Sequence, residues 1–198
     1  MEYRALALDL DGTLTDSNKQ ITAYTKEILG EAMVRGVKVI LASGRPVLGI
    51  QSVAVALGLE ERGGYILAYN GGQIVDCGTG RVIFEKLVPT KYFSDICAIA
   101  RSFGAQPLTY SEDMVVAESE ADLYVQKEAY NNSAAVRVVE RVDCAIRQPV
   151  PKYMVVGEND KLKQVRECMK KSFEGKLDVF FSEPYFLEVV AVGFEKGT

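Results

Sequence analysis

The chain has 198 residues, of which 48% are hydrophobic and 25% are charged, and its formal net charge is -4. This composition suits a globular protein with a sizeable core, and the lack of any basic block argues against a nucleic-acid surface. No apolar run approaches the roughly 18 residues of a membrane span and no signal-peptide pattern opens the chain, so we expect a cytoplasmic protein without a membrane partner.

The residue types that are missing or scattered narrow the chemistry further. The sequence contains no histidine, which excludes a Ser-His-Asp triad, a histidine nucleophile and histidine-bound zinc. Its four cysteines form no Cys-x-x-Cys pair, which argues against a zinc cluster or a redox motif. Carboxylates, hydroxyls, lysine and oxygen-binding metals remain for catalysis.

The first apolar run, residues 3–8, predicts a strand buried on both faces, as found in parallel sheets. Asp9-Leu10-Asp11-Gly12-Thr13 follows it directly, where ligands bind in open α/β sheets. Asp9 can attack phosphorus, Asp11 can pass a proton to or from the other oxygen, and Gly12 permits a sharp turn. The alternative interpretation of Asp-x-Asp-Gly is a solvated turn.

The next segment predicts a helix and a second strand. A stripe of apolar residues precedes Gly36, and its expected inward members are Ile21, Tyr24, Ile28 and Ala32. Residues 37–42 then form a mostly apolar strand. A strand, helix, strand order predicts a right-handed crossover and parallel strands.

Ser43-Gly44-Arg45-Pro46 follows this second strand. A hydroxyl at a strand end, beside a helix opening near Pro46, can donate to a phosphate oxygen. The alternative is that Ser43 is an ordinary helix N-cap.

A helix over residues 47–57 and a third strand over 65–69 come next. The helix should turn an apolar side inward, made of Ile50, Val53, Ala54 and Leu57. Asn70-Gly71 follows the third strand and is a turn signal.

From Gln73 onward the pattern changes to a hairpin and then to a second α/β region. The hairpin takes residues 73–76 and 81–85. We predict helices over 90–103, 120–130 and 160–173, and strands over 106–110, 114–117, 152–156, 177–182 and 186–190. The stretch 136–151 is compatible with a strand or a helical turn.

Three strings together resemble the haloacid dehalogenase (HAD) superfamily of phosphohydrolases. Residues 9–13 match its first motif, Asp-x-Asp-x-Thr, and Ser43-Gly44-Arg45 is similar to the second motif of its Cof-like group. Residues 193–197, Gly-Phe-Glu-Lys-Gly, are similar to the third motif of that group. The resemblance implies an α/β fold, with an HAD-like three-layer core around a parallel sheet and an inserted α/β cap domain. The implied boundaries are core 1–87, cap 88–188 and a return to the core at 189–198.

The resemblance also implies an activity and its residues. The activity is Mg²⁺-dependent hydrolysis of small phosphomonoesters such as sugar phosphates, through an aspartyl-phosphate, so that the partner is a small phosphorylated metabolite. Eight positions receive roles: Asp9, Asp11 and Lys196 in catalysis; Leu10, Ser43, Gly44 and Lys196 in phosphate binding; Asp9 and Asp11 in metal binding; Arg45 and Asn70 on the substrate side.

One family feature has no counterpart in this sequence. Members continue past the lysine with further strands and an Asp-rich fourth motif that completes the Mg²⁺ shell, and neither follows Lys196. The first strand would then have a bare edge, which favours self-association. We therefore interpret the chain as C-terminally truncated and as a candidate for an inactive form.

Three other functions compete with the hydrolase. A phosphomannomutase-like phosphotransferase shares the nucleophile and a related cap. A receiver-like signalling module also uses an Asp acceptor, although the long region after Pro89 argues against a single compact domain. A non-catalytic phosphate-binding remnant is compatible with the missing acidic motif.

Overall fold

The protein is described here by a computed structural model, which covers residues 3–16 and 19–193. The chain divides into two compact units, one extending through Glu85 and one beginning at Lys86. Each unit has its own sheet with helices packed on it. The predicted α/β fold class is confirmed. Within the described ranges, no helix combines the length and apolar character needed to cross a bilayer.

The first unit is a five-stranded sheet in the order β1-β2-β3-β4-β5. Strands β1, β2 and β3 are parallel, and β4 and β5 add an antiparallel hairpin at the positions predicted for it. Its elements are β1 (Ala5–Asp9), α1 (Ala23–Val34), β2 (Lys38–Ala42), α2 (Leu48–Leu57), α3 (Leu59–Arg62), β3 (Gly64–Ala68), β4 (Gln73–Asp76) and β5 (Arg81–Glu85). A 3₁₀ turn, Tyr69–Gly71, follows β3.

The register of the three parallel strands brings their carboxyl ends level. Asp9 on β1 lies opposite Ala42 on β2, and Ala42 lies opposite Leu67 on β3. The segments that leave these strands therefore start side by side at one edge of the sheet, where open α/β sheets bind ligands.

Two predictions about burial in the first unit are wrong. Strand β1 is not buried on both faces, since Leu6 is 38% exposed. In the sheet that the described residues form, β1 lies at the edge beside β2. Helix α1 does not turn Tyr24 and Ile28 inward, because both are exposed while Leu29 and Gly30 are buried. The Arg62 side chain lies close against Gly30, where a Cβ would be 2.9 Å from Nη1 of Arg62.

Helix α2 has the inward side that its sequence predicts. All four of its expected core residues are buried: Ile50, Val53, Ala54 and Leu57. Gly58 ends the helix in the left-handed region, with φ of 65°, a conformation that glycine adopts without a Cβ penalty.

The second unit is a six-stranded sheet in the order β10-β11-β9-β6-β7-β8, antiparallel except for β7 and β8. Its elements are α4 (Phe93–Ser102), β6 (Gln106–Ser111), β7 (Met114–Ala117), α5 (Leu123–Asn132), β8 (Ala135–Val138), α6 (Val142–Ala145), β9 (Tyr153–Val156), α7 (Asn159–Ser172), β10 (Leu177–Glu183) and β11 (Phe186–Ala191). The stretch left open by the sequence thus contains both a strand, β8, and a helical turn, α6.

A continuous apolar core holds helices α4 and α7 on this sheet. Leu162, Val165 and Met169 on α7 are fully buried, as their spacing predicts. Removing one such side chain from a packed core typically costs about 2–5 kcal/mol.

The limits of the two units differ from the boundaries expected from the sequence. The first unit ends at Glu85, two residues before the expected boundary at 87. Val189, Val190 and Ala191, which we expected in the return to the core, complete β11 in the second sheet, where Val189 lies opposite both Val179 and Tyr153.

The second unit also buries a cluster of charged and polar side chains. Lys152 and Glu188 form an ion pair with Nζ and Oε1 3.2 Å apart, and both are almost fully buried. Glu128 on α5 accepts hydrogen bonds from the hydroxyl of Tyr110 at 2.5 Å and from the Asn132 amide at 2.7 Å. Burial raises the pKa of Glu128, although Lys152 and these two hydrogen bonds oppose the rise.

We expect Glu128→Gln to make the stability of the second unit less sensitive to pH. A carboxyl whose pKa rises on folding keeps its proton up to a higher pH in the folded chain than in the unfolded chain. Its contribution to stability is therefore complete below the unfolded pKa of about 4.3 and is lost as pH rises through the folded pKa. Urea denaturation should show the free energy of unfolding of the parent chain decreasing relative to that of the variant as pH rises above about 4.3. Although burial opposes it, hydrogen bonds from Arg101 lower the pKa values of Glu118 and Asp143, which add the opposite pH dependence equally to both chains. Glu120→Gln, at an exposed position, is the control, and parallel pH curves for the parent and Glu128→Gln would contradict the expectation.

Candidate active site

The first of three adjoining segments follows β1 and is a tight loop. Hydrogen bonds within this loop converge on the Leu10 carbonyl oxygen. It accepts from the Thr15 backbone N–H at 3.0 Å and from the Thr15 hydroxyl at 2.9 Å. Gly12 has φ of 74°, the left-handed geometry that favours glycine. Leu10 is buried whereas Asp11 is exposed. The loop thus anchors itself through Leu10 and projects the Asp11 side chain outward.

The second segment follows β2 and begins at Ser43, which is buried at 3% exposure. Its backbone N–H donates to the Leu67 carbonyl at 2.9 Å, and its hydroxyl accepts from the Arg45 backbone N–H at 3.2 Å. The hydroxyl therefore closes a local turn and is not the N-cap of α2, which begins at Leu48 after Val47. A hydroxyl that accepts one bond can still donate its proton to a ligand.

The third segment follows β3 and is fastened to the second by its backbone. The Tyr69 N–H donates to the Arg45 carbonyl at 2.9 Å, and the Asn70 N–H donates to the Ser43 carbonyl at 3.0 Å. Tyr69 and Asn70 both have left-handed φ, 52° and 57°, which costs roughly 1–3 kcal/mol for a non-glycine residue. The two backbone bonds hold this strained turn in place.

Gly44 lets the second and third segments approach closely. A Cβ at this position would lie 2.9 Å from Oδ1 of Asn70 and 3.4 Å from its Cγ. Any side chain here would push the Asn70 amide away. The glycine therefore lets the Asn70 amide lie directly against the second segment.

Arg45 connects the first and second segments through an ion pair with Asp11. Its Nε donates to Oδ2 of Asp11 at 2.9 Å and its Nη2 donates to Oδ1, so the pair is bidentate. The third nitrogen, Nη1, donates to the Gly49 carbonyl at 3.3 Å. A planar guanidinium that donates from all three nitrogens holds the Asp11 carboxylate in the plane of the guanidinium.

The donor set for a metal is present in part. Asp9 and Asp11 provide carboxylate and carbonyl oxygens of the type that Mg²⁺ accepts, and Mg²⁺ commonly keeps several waters while binding one or two carboxylates. Among residues 3–16 and 19–193, no group of three acidic or cysteine side chains gathers into a metal site. The described residues therefore fit a loosely held, largely hydrated Mg²⁺ and do not enclose one.

The sequence-predicted positions divide into two groups. Seven lie on the three adjoining segments: Asp9, Leu10, Asp11, Ser43, Gly44, Arg45 and Asn70. The eighth, Lys196, lies outside the described residues, so its expected pairing with Asp9 stays a prediction. The roles assigned to the seven also stay predictions, since what the structure adds is their position and bonding.

Sequence reasoning missed the partners that hold the site together. Arg45 stood out in its Ser-Gly-Arg string, but its ion pair joins residues 34 positions apart, which no local pattern reveals. The left-handed Tyr69 was also missed, because an aromatic residue gives no turn signal. Its neighbour Asn70 did give such a signal.

Comparison with known proteins agrees with this arrangement. The sequence profile of the haloacid dehalogenase-like hydrolases matches residues 6–198. A solved haloacid dehalogenase-like hydrolase from Bacteroides thetaiotaomicron is 39% identical and superposes with a TM-score of 0.95, over 98% of this chain and 73% of that one. The 5-amino-6-(5-phospho-D-ribitylamino)uracil phosphatase of Bacillus subtilis is 26% identical over 98% of this chain and 73% of its own length. The HMP-PP phosphatase of Serratia proteamaculans is 24% identical over 99% of this chain and 70% of its own length.

These matches cover nearly the whole chain, and they confirm the resemblance that the three motifs indicated. The carboxylate pair after β1 and the Ser-Gly-Arg turn after β2 lie in the part of the chain that the profile matches. The chain belongs to the haloacid dehalogenase-like hydrolase family.

Proposed function

We propose that the protein is a Mg²⁺-dependent phosphatase that hydrolyses small phosphomonoesters, such as sugar phosphates, through an aspartyl-phosphate on Asp9. The observation that carries this proposal is the meeting of the Asp9 loop with the Ser43–Arg45 turn at the carboxyl ends of parallel strands. Relatives named as phosphatases of small phosphorylated compounds support the substrate class.

In the proposed reaction, Asp9 attacks phosphorus and forms an acyl phosphate while the ester oxygen leaves. Asp11 gives that oxygen a proton and then takes one from the water that hydrolyses the acyl phosphate. The Ser43 hydroxyl and the amides near Leu10 and Gly44 would hold the phosphoryl oxygens. Asn70 would lie on the substrate side, and Lys196 is assigned its charge-balancing role from its motif alone.

Magnesium belongs to this proposal as a partly hydrated ion. The Asp9 carboxylate and the Asp11 backbone carbonyl are the groups that would hold it. When bound, it would neutralise charge on the phosphoryl group and help to align it. Because the described residues supply these two groups and water would complete the shell, phosphate release should depend on the concentration of free Mg²⁺.

The second unit is proposed to act as a cap, on the basis of its position in the chain after the β4–β5 hairpin. An acyl phosphate is hydrolysed by any water that reaches it, so an enzyme that forms one benefits from controlled access of water and substrate. The unit has its own sheet and core, as a separately folded cover would.

The first test is release of inorganic phosphate from a panel of phosphomonoesters. The parent chain should require Mg²⁺, and Asp9→Asn should lower kcat by more than about 10³-fold, because the amide is no nucleophile toward phosphorus. Asp95→Asn, an equivalent change at an exposed position of α4, should leave kcat unchanged.

The same assay separates the competing functions. Conversion of one sugar phosphate into its isomer without phosphate release would indicate a phosphotransferase. A stable phosphoryl group on Asp9 with no ester turnover would indicate a signalling module. Phosphate binding without any turnover would contradict the enzyme and favour a non-catalytic role.

The contact between Gly44 and Asn70 gives a second prediction. Gly44→Ala should lower kcat/KM by about 10-fold or more, because its Cβ would displace the Asn70 amide by several tenths of an ångström and misplacement of this order is costly in an active site. In the Asn70→Ala background, where this amide is absent, Gly44→Ala should cause little further loss of kcat/KM. An equal loss from Gly44→Ala in both backgrounds would disprove the steric explanation.

We also propose that the edge of β1, which no strand from residues 3–16 or 19–193 covers, lets the chain associate with itself. The Lys38 N–H bonds to the Arg4 carbonyl, and in a parallel ladder successive residues point to opposite sides. The backbone groups of Ala5 and Ala7 therefore point away from β2. Edges of this type are templates for pairing with another chain.

Ala7→Pro should weaken this association, because it removes an outward N–H without removing a bond to β2. Sedimentation velocity over a range of concentrations should detect oligomers of the parent chain and fewer of the variant, with circular dichroism confirming that the fold is retained. Leu123→Lys, at an exposed position of the second unit, is the control. A parent chain that stays monomeric would refute the proposal.

A further inference from the structure

The ion pair between Arg45 and Asp11 joins two unequal partners. The Arg45 side chain is 18% exposed, whereas the Asp11 side chain is 56% exposed. Arg45 is held by Nη1 on the Gly49 carbonyl, by its backbone N–H on the Ser43 hydroxyl, and by its own carbonyl under the Tyr69 N–H. Arg45 is therefore the fixed partner, and any opening of the pair moves Asp11.

The pair engages the whole end of the Asp11 side chain. Both carboxylate oxygens accept from the guanidinium, and the third guanidinium nitrogen is held by the Gly49 carbonyl. A bidentate pair of this kind fixes direction as well as distance. The direction in which the Asp11 carboxylate faces is therefore set by Arg45.

We infer that Arg45 is a positioning residue, which aligns the Asp11 side chain for its proton transfers. The inference rests on the proposed phosphatase function. In the first step the ester P–O bond breaks as the bond from Asp9 to phosphorus forms, and the proton of the Asp11 carboxyl goes to the leaving oxygen.

In the second step water forms a bond to phosphorus, its proton goes to the Asp11 carboxylate, and the bond from phosphorus to Asp9 breaks. Arg45 keeps its charge throughout and touches neither the phosphorus nor the attacking water in this scheme. Its effect on the reaction passes through Asp11. A residue that acts only through another should lose its influence when that other residue is removed.

The leaving group of the substrate separates this role from a general loss of structure. A p-nitrophenolate leaves without a proton, whereas an alkoxide from a sugar phosphate needs one. Arg45→Met should lower kcat/KM for an alkyl phosphate by about 10–100-fold and for p-nitrophenyl phosphate by less than about 3-fold. Arg45→Lys, which keeps the charge without the fork, should recover part of the loss.

The double variant Arg45→Met/Asp11→Asn should be no slower on the alkyl ester than Asp11→Asn alone. Arg35→Met, which removes an exposed arginine paired with Glu31, is the control and should change neither substrate. Equal losses on both esters, or a double variant slowed by the product of the single effects, would overturn the inference. Failure of the parent chain to hydrolyse either ester would instead count against the proposed function.

A second measurement tests the pair without turnover. In ¹⁵N-labelled protein the Arg45 Nε–H signal, identified by its absence in Arg45→Met, should shift and exchange faster with water in Asp11→Asn, while the Arg35 signal stays in place. An Arg45 signal that Asp11→Asn leaves unmoved would overturn the inference whether or not the chain is active.

Discussion

The candidate site depends on the parallel register of β1, β2 and β3. Because Asp9, Ala42 and Leu67 lie opposite one another, the segments that leave the three strands begin within one residue of the same line. Parallel strands point their carboxyl ends to one edge, so residues far apart in the chain meet there without any long-range recognition between side chains. The bonds from Tyr69 to Arg45 and from Asn70 to Ser43 then lock two of these segments together.

Local patterns in the sequence were sufficient for the elements and for the position of the site. The spacing in α2 and α7 identified the residues that are buried, and the strings after β1, β2 and β3 identified the three loops. They failed for α1, where Tyr24 and Ile28 are exposed. Periodicity reports which residues share a helix side, but it cannot by itself tell which of two partly apolar sides faces the rest of the fold.

Tertiary bonds account for most of what the sequence could not reveal. The pairing of Arg45 with Asp11, the buried pair of Lys152 with Glu188 and the hydrogen bond from Tyr110 to Glu128 each join residues at least 18 positions apart. Buried charges are rarely favourable unless they are paired, so their positions are decided by the finished fold and not by local preference. A single sequence contains no spacing rule for them.

Rigidity is distributed unevenly over the three segments, and this difference bears on the chemistry. The second and third are fastened by backbone hydrogen bonds and by the close fit of Gly44 under Asn70. The strain at Tyr69 and Asn70 persists because these bonds outweigh it. The first segment instead anchors one buried residue, Leu10, and leaves the next, Asp11, exposed. Under the proposed function, the phosphoryl group would meet the Ser43 turn, which backbone hydrogen bonds hold in place. The acid–base side chain of Asp11 would instead be positioned by its pair with Arg45.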